Sequence, residues 1–442
     1  MALGGLLGND GKGPNVFHTV LMAIFGLAIA GGVAALALYQ TIGSQAVSLG
    51  QLKVWGTLPA DRVSSFLNAL KDSRPEYAQV TYQSLSPQSY YDEVVNAIAA
   101  GRGPDVIFID NANLVAQAEK LYPLPYTSFD ERTFRSSYVE SGEIFLRPDG
   151  ILAMPFALDP LVMYWNRDLF AAAGIANPPQ YWDEVVEIVP RLAIVTQDQR
   201  VRQAAIAMGT YSNITNAKAI ISLLWLQAEI PITQWGQDGE LRVVLDSPQD
   251  NNAAAEAVRF YASFADPLKT TYTWNPSLPS SREMFLAGDL AMYFGFASEF
   301  DELRAANPNI NFDVAMVPQA RAARRPVTYA AVVGLSVPRA SQNIGSAFRA
   351  VLAMTDAAAL RLWGETTRLP PVHRTLLAEP PTDAVGKVWY YAALNSRSWL
   401  EPDPRRVDPI LRQLLEDVAS GRALVQEALG GARAALERSI PR

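Results

Sequence analysis

Few side chains in this 442-residue chain suit covalent chemistry. There are no cysteines, so disulfides, thiolate metal sites and cysteine nucleophiles are all excluded. Only two histidines occur, His18 and His373, far apart in sequence. A His-rich metal site is therefore ruled out, and a Ser-His-Asp triad has only His373 to draw on. The sequence contains no G-x-S-x-G, HExxH or P-loop pattern. What remains is a set of short polar groups and aromatic rings at the ends of apolar runs. Trp55 closes the run LKVWG, and Asp110 and Asn111 close DVIFID. Asp159 stands in an otherwise apolar stretch beside Pro160. Flat rings match the C–H faces of sugars, and Asp and Asn exchange hydrogen bonds with hydroxyls. Such a mixture suits a polar, roughly neutral ligand. A carboxylate pair, Asp110 with Asp159, is also the minimum set for glycan hydrolysis, although no motif supplies it with a companion pocket.

The elements that position these residues alternate. LKVWG (Leu52 to Gly56) reads as a buried strand, and Asp61 to Leu70 as a helix with Val63, Phe66, Leu67 and Leu70 on one face. A strand over Ala78 to Ser84, a helix over Tyr90 to Ala100 and a strand over Asp105 to Asp110 follow. The last is apolar on consecutive residues, as expected for a parallel strand covered on both faces. Further on, Ile151 to Leu158 and Leu161 to Trp165 read as two strands. Helices are expected at 166–173, 182–189, 217–228, 251–264 and 280–287, and strands at 290–295, 314–317 and 329–337. The tail from Asp408 to Ser439 reads as helical, with Ile410, Leu411, Leu414, Leu415 and Val418 at core spacing. Alternating strands and helices define an α/β protein.

Composition sets further limits. Hydrophobic residues make up 49% and charged residues 18%, which is globular composition with enough apolar mass for two cores. A net charge of −7 with no long basic run argues against nucleic acid as a partner. From Val16 to Tyr39 roughly 24 residues carry no formal charge, enough to span a bilayer and longer than the apolar part of a cleaved signal. This segment is expected to be a transmembrane anchor. Residues 1–15 would then be a short cytoplasmic N-terminus, residues 40–51 a linker, and the body would lie on the extracytoplasmic side at the cell membrane.

Six segments, in order, carry a resemblance. AAGRGPDVIFIDN (Ala99 to Asn111) and YWNRDLFAAAGIANPPQYWDEV (Tyr164 to Val185) are followed by MFLAGDLAMYFG (Met284 to Gly295) and VTYAAVVGLSVPRASQN (Val327 to Asn343). RLPPVHRTLL (Arg368 to Leu377) and SGRALVQEAL (Ser420 to Leu429) complete the series. Together they resemble the family 1 extracellular solute-binding proteins of ABC importers, the maltose-binding-protein-like group. The chain departs from that group in lacking a lipobox cysteine, which leaves anchoring to Val16–Tyr39. It also has FGFASEF where the family often has Trp, which leaves Phe294 and Phe296 as stacking rings.

The resemblance implies a two-lobed periplasmic-binding-protein type 2 fold with discontinuous lobes and a hinged cleft. Residues 52–158 with 334–380 would form lobe 1, and 159–331 with 385–442 lobe 2. The crossing strands would lie near 155–160 and 329–335. It implies a ligand site of Trp55, Asp110, Asn111, Asp159, Tyr211, Phe296 and Trp399, no catalytic or metal residue, and no cofactor. The implied function is capture of a small polar ligand, carbohydrate first, by hinge closure and delivery to an ABC permease pair by a monomer. A membrane-anchored receptor or sensor on the same fold is the alternative beside the hydrolase.

Overall fold

The computed structural model describes residues 49–245 and 252–441. The expected anchor, Val16–Tyr39, lies outside them. Among the described residues no helix is long and apolar enough to cross a membrane.

The chain opens with β1 (Leu52–Gly56), α1 (Ala60–Ser73), β2 (Val80–Ser84), α2 (Tyr90–Ala99) and β3 (Val106–Asp110). The apolar spacing in α1 buries Val63, Phe66, Leu67 and Leu70. The consecutive apolar residues of β3 are buried from Val106 to Ile109, leaving only Asp110 at its end partly open. The last residue of β1 is glycine because a Cβ at Gly56 would lie 2.5 Å from the Phe108 ring. The Tyr90 hydroxyl lies 2.9 Å from both the Trp55 and Phe108 carbonyls and ties the two strand ends together.

Next come β4 (Met154–Asn166), α3 (Trp182–Leu192), β5 (Val201–Ile206), α4 (Ala217–Gln227), β6 (Leu290–Phe296), α5 (Glu299–Ala306) and β7 (Thr328–Pro338). The chain closes with α6 (Ala357–Thr367), α7 (Ala384–Leu394), α8 (Pro404–Ala419) and α9 (Val425–Ser439). The strands form one ladder in the order β2-β1-β3-β7-β4-β6-β5. Pairing is parallel for β1 with β2 and β3, and for β6 with β5. It is antiparallel where β7 meets β3 and β4, and where β4 meets β6.

The ladder carries two cores. One gathers β1, β2, β3, α1 and α6 around Phe66, Phe108, Phe156 and Trp363. The other gathers β5, β6, α4, α8 and α9 around Trp225, Trp274, Tyr293 and Leu415. Strand β4 places Phe156 in the first and Tyr164 in the second, and β7 likewise places Leu335 and Tyr329. Two paired strands thus pass from one core to the other, in register Ala331 with Asp159.

One expectation is corrected and another refined. Ile151–Leu158 and Leu161–Trp165 are not separate strands: β4 runs unbroken through Pro160. The residue sits where the neighbour on one side changes, and its carbonyl accepts the Ala297 N–H at 3.0 Å. The tail is two helices, broken where Gly421 adopts φ +70° after Ser420.

Candidate functional site

Two cavities lie along the crossing strands. The larger, about 370 Å³, is walled by both cores: Leu58, Arg62 and Trp363 on one side, Ser298 and Asp301 on the other. Asp159, Ala331 and Val333 floor it. The smaller, about 270 Å³, is lined by Tyr211, Asn216, Lys218, Phe296, Tyr329 and Asp408. Tyr329, Ala331 and Val333 are alternate residues of β7 and share a face, so the cavities are neighbouring bays. The Phe296 and Tyr329 rings meet edge to face between them, centroids 6.2 Å apart.

Asp159 is the acceptor at the floor of the larger bay. Its Oδ1 takes the Ser298 N–H at 3.0 Å. Burial pushes its carboxyl up to about 6; the Ser298 hydrogen bonds offset part of this, and the Glu299 charge adds to it.

In the smaller bay Lys218, at the start of α4, lies 2.9 Å from Glu401 and 3.4 Å from Asp408, and the Tyr211 hydroxyl donates to Asp408. Burial alone would lower the Lys218 ammonium, but the two carboxylates outweigh it and hold it above its ordinary value. Burial raises Glu401, only 1% exposed, and Lys218 offsets part of that rise. Burial also pushes the Tyr329 hydroxyl up to about 12. The bay's charges thus satisfy one another.

The other expected residues are placed differently. Asn111 is buried. It donates to the Trp399 carbonyl and the Tyr329 hydroxyl at 3.2 and 3.3 Å, and accepts the Val332 N–H at 3.2 Å, so it joins the crossing strand to the second core. Asp110 turns back to accept the Asn113 N–H at 2.7 Å. Trp55 is half-buried against the first core and lines neither bay. Trp399 is 1% exposed, packs in the second core and donates its indole N–H to Ser222 at 3.0 Å. Its ring is therefore a core ring. Asp159 lines the larger bay, whereas Asp110 lines neither. Among the described residues no cluster of metal ligands occurs.

Sequence reasoning missed Arg62, Lys218, Ser298, Asp301 and Arg368. Lys218 had a sign: it is the only charge in the apolar run ITNAKAIISLLWLQ. The others lie on amphipathic helices or turns where a charge reads as solvated surface.

Two α/β cores joined by crossing strands, with a cavity between them, define a two-lobed solute-binding architecture. The chain belongs to the bacterial extracellular solute-binding proteins, the family whose model matches residues 70–360. Among solved structures it is similar to a cyclo/maltodextrin-binding protein complexed with maltotetraose, at 16% identity and TM-score 0.69, covering 88% of this chain and 96% of that one. It is similar also to a cyclic alpha-maltosyl-1,6-maltose binding protein from Arthrobacter globiformis, at 17% identity and TM-score 0.69, covering 88% and 98%. These likenesses establish the type 2 periplasmic-binding-protein fold. Among curated relatives, a binding protein of Brucella abortus (strain 2308) is 24% identical over 236 residues, 50% of this chain and 51% of its own length. An sn-glycerol-3-phosphate-binding periplasmic protein of the same strain is 28% identical over 172 residues, 34% and 38%. The chain thus spans about half the length, or less, of the curated relatives it matches.

Proposed function

We propose that this chain is the solute-capturing component of an ABC importer, that it binds a carbohydrate between its lobes, and that closure on the ligand presents both lobes to a permease pair. In this reading Val16–Tyr39 anchors the body outside the cell membrane. The observation that carries the proposal is the larger bay: its walls come from different cores, its floor is the pair of crossing strands, and Asp159 offers a carboxylate there. A ligand touching both walls stabilises the closed arrangement over the open one, and the population shifts accordingly. The oligosaccharide-binding neighbours support carbohydrate as the class. Asp159, Tyr211 and Phe296 are the residues we assign to ligand contact; Trp55 stands at the rim of the first core, and Asp110, Asn111 and Trp399 shape the cleft from behind.

Thermal unfolding against maltotriose, mannobiose, glucose, glycerol, amino acids and short peptides tests the reading. A ligand at 100 times its Kd adds about 2.7 kcal/mol to the folded state. A sugar is expected to raise Tm selectively, and Asp159→Ala to abolish the rise. A rise with amino acids or peptides and none with sugars would overturn the carbohydrate assignment.

A further inference from the structure

A groove of about 680 Å³ opens beside the second core and shares no lining residue with either bay. Val314, Ala315, Met316 and Val317 run along it, between the turn 177–181 and helix α7. The first two end a short strand, Phe312–Ala315, that pairs antiparallel with β4. Among the described residues no strand covers its other edge. The phase of the ladder shows which backbone groups face that edge. The Asn311 carbonyl accepts the Arg167 N–H at 2.9 Å, so odd-numbered residues bond to β4 and even-numbered ones point away. Val314 therefore faces outward, and its N–H turns to the Asp313 carboxylate at 2.8 Å. Met316, one residue past the strand, bonds to no described residue through its N–H or its carbonyl. Apolar surface accompanies this open edge. Val388 and Tyr391 line the groove from α7, and Leu394 continues their row at the next turn. Tyr391 is 49% exposed and Leu394 43%.

The charge around the groove has one sign. Arg321, Arg324 and Arg325 line it, and no carboxylate does. The sequence from Val314 to Val327 contains no acid, in a chain whose net charge is −7. Arg321 lies over the Tyr181 ring, 4.2 Å from its centroid, and Asp183 and Glu184 match it at 2.7 and 3.2 Å. Glu140 matches Arg325 at 2.7 Å. Arg324 is exposed and makes no hydrogen bond or ion pair with a described residue.

An open backbone edge, an exposed apolar row and an unmatched cation thus meet in one groove. An extended chain added to the edge satisfies the backbone groups, and its alternate side chains reach the apolar wall. Carboxylates on that chain answer the arginines. A bilayer surface fits less well, because it is planar and supplies no partner for a strand edge. Residues 1–48 of this chain contain a single acid, Asp10, which leaves another protein as the source.

We propose that this groove docks an extended acidic segment of a partner protein, added as a strand beside Phe312–Ala315 with a carboxylate on Arg324. The surface lies on one lobe and needs neither the cleft's ligand nor closure. That sets it apart from a permease contact made by both lobes.

The test is fluorescence anisotropy with the full chain in neutral nanodiscs and three short labelled peptides. One alternates glutamate and valine; the others replace glutamate by glutamine or by lysine. The glutamate peptide is expected to bind at least about fivefold more tightly than the glutamine peptide, and to weaken as salt is raised. Arg324→Glu should weaken the glutamate peptide by at least about fivefold and strengthen the lysine peptide. Opposite movements distinguish a charge effect from misfolding, which weakens both. A fully N-methylated glutamate peptide keeps its charge but cannot pair as a strand, and should not bind. Equal binding of the glutamate and glutamine peptides overturns the proposal, as does undiminished binding of the N-methylated one. So does failure of all three peptides in a protein that unfolds cooperatively. Capture of phosphatidylglycerol vesicles, lost in Arg324→Glu, with no peptide binding would assign the groove to a membrane surface instead.

Discussion

Asp159 is asked to do two things that conflict. In the proposed role of ligand acceptor it is ionised, yet burial disfavours the ionised form and pushes its carboxyl from about 3.8 to about 6. Below about pH 3 the carboxyl is mostly protonated in folded and unfolded chains alike, and the site is nearly neutral for stability. As pH rises the unfolded chain loses its proton first, so folding is progressively disfavoured until the folded carboxyl also ionises near pH 6. Above that the burden is constant at roughly 3 kcal/mol. Asp159→Asn should therefore stabilise the ligand-free protein by up to this amount at pH 7.5 and by less than ~1 kcal/mol at pH 4, measured by denaturant unfolding. A gap that does not change with pH contradicts the account. In the wild type, sugar affinity should fall as pH drops through about 6, because protonation turns the acceptor into a donor. Asp159 stood out in the sequence as an acid alone in an apolar stretch, and the fold places it on the floor of the larger bay. Trp399 misled because its sequence position says nothing of where the ring points, and packing in the second core took it away from the cleft.

At the scale of elements, sequence periodicity located β1 to β3, β4 as two pieces, β6, β7, α1 to α4 and the helical tail, while β5, α5, α6 and α7 were not read; two of its failures have local causes. Pro160 looked like a break, but a strand tolerates proline where the ladder does not require its N–H. The tail looked continuous because apolar spacing persists on both sides of Ser420–Leu424, although Gly421 marks the stop. The turn from β5 to Tyr211 depends on another glycine. Gly209 sits at φ +109°, and a Cβ there would lie 2.6 Å from the Ala265 backbone nitrogen. Gly209→Ala should cost at least ~2 kcal/mol and displace the loop that carries Tyr211. Gly430, inside α9 with open space around its Cβ position, is the control, and Gly430→Ala should stabilise by ~0.5–1 kcal/mol. Denaturant midpoints for the two variants check both signs, and a neutral Gly209→Ala would remove the close approach from the explanation.

At the scale of the whole molecule, the order of six motifs made the fold legible, because strand lead-ins and helix stops are written in local residue types. The wall chemistry of the cleft was not legible, since it depends on which side of a helix faces the other lobe once two cores are assembled. That assembly is held by β4 and β7, which pass between cores while each lobe keeps its own packing. Such a joint permits rigid-lobe rotation with little change inside either core. The absence of cysteine makes the motion measurable, because two introduced thiols would be the only ones in the protein. Asp72→Cys in α1 and Glu187→Cys in α3 place exposed labels on different lobes. The decisive measurement is the distance between those labels, by energy transfer, with and without the sugar that raises Tm. Capture between closing lobes predicts a shorter distance at saturation and no change in the Asp159→Ala background. Saturating binding with an unchanged distance would contradict it, leaving a rigid site in place of a closing one.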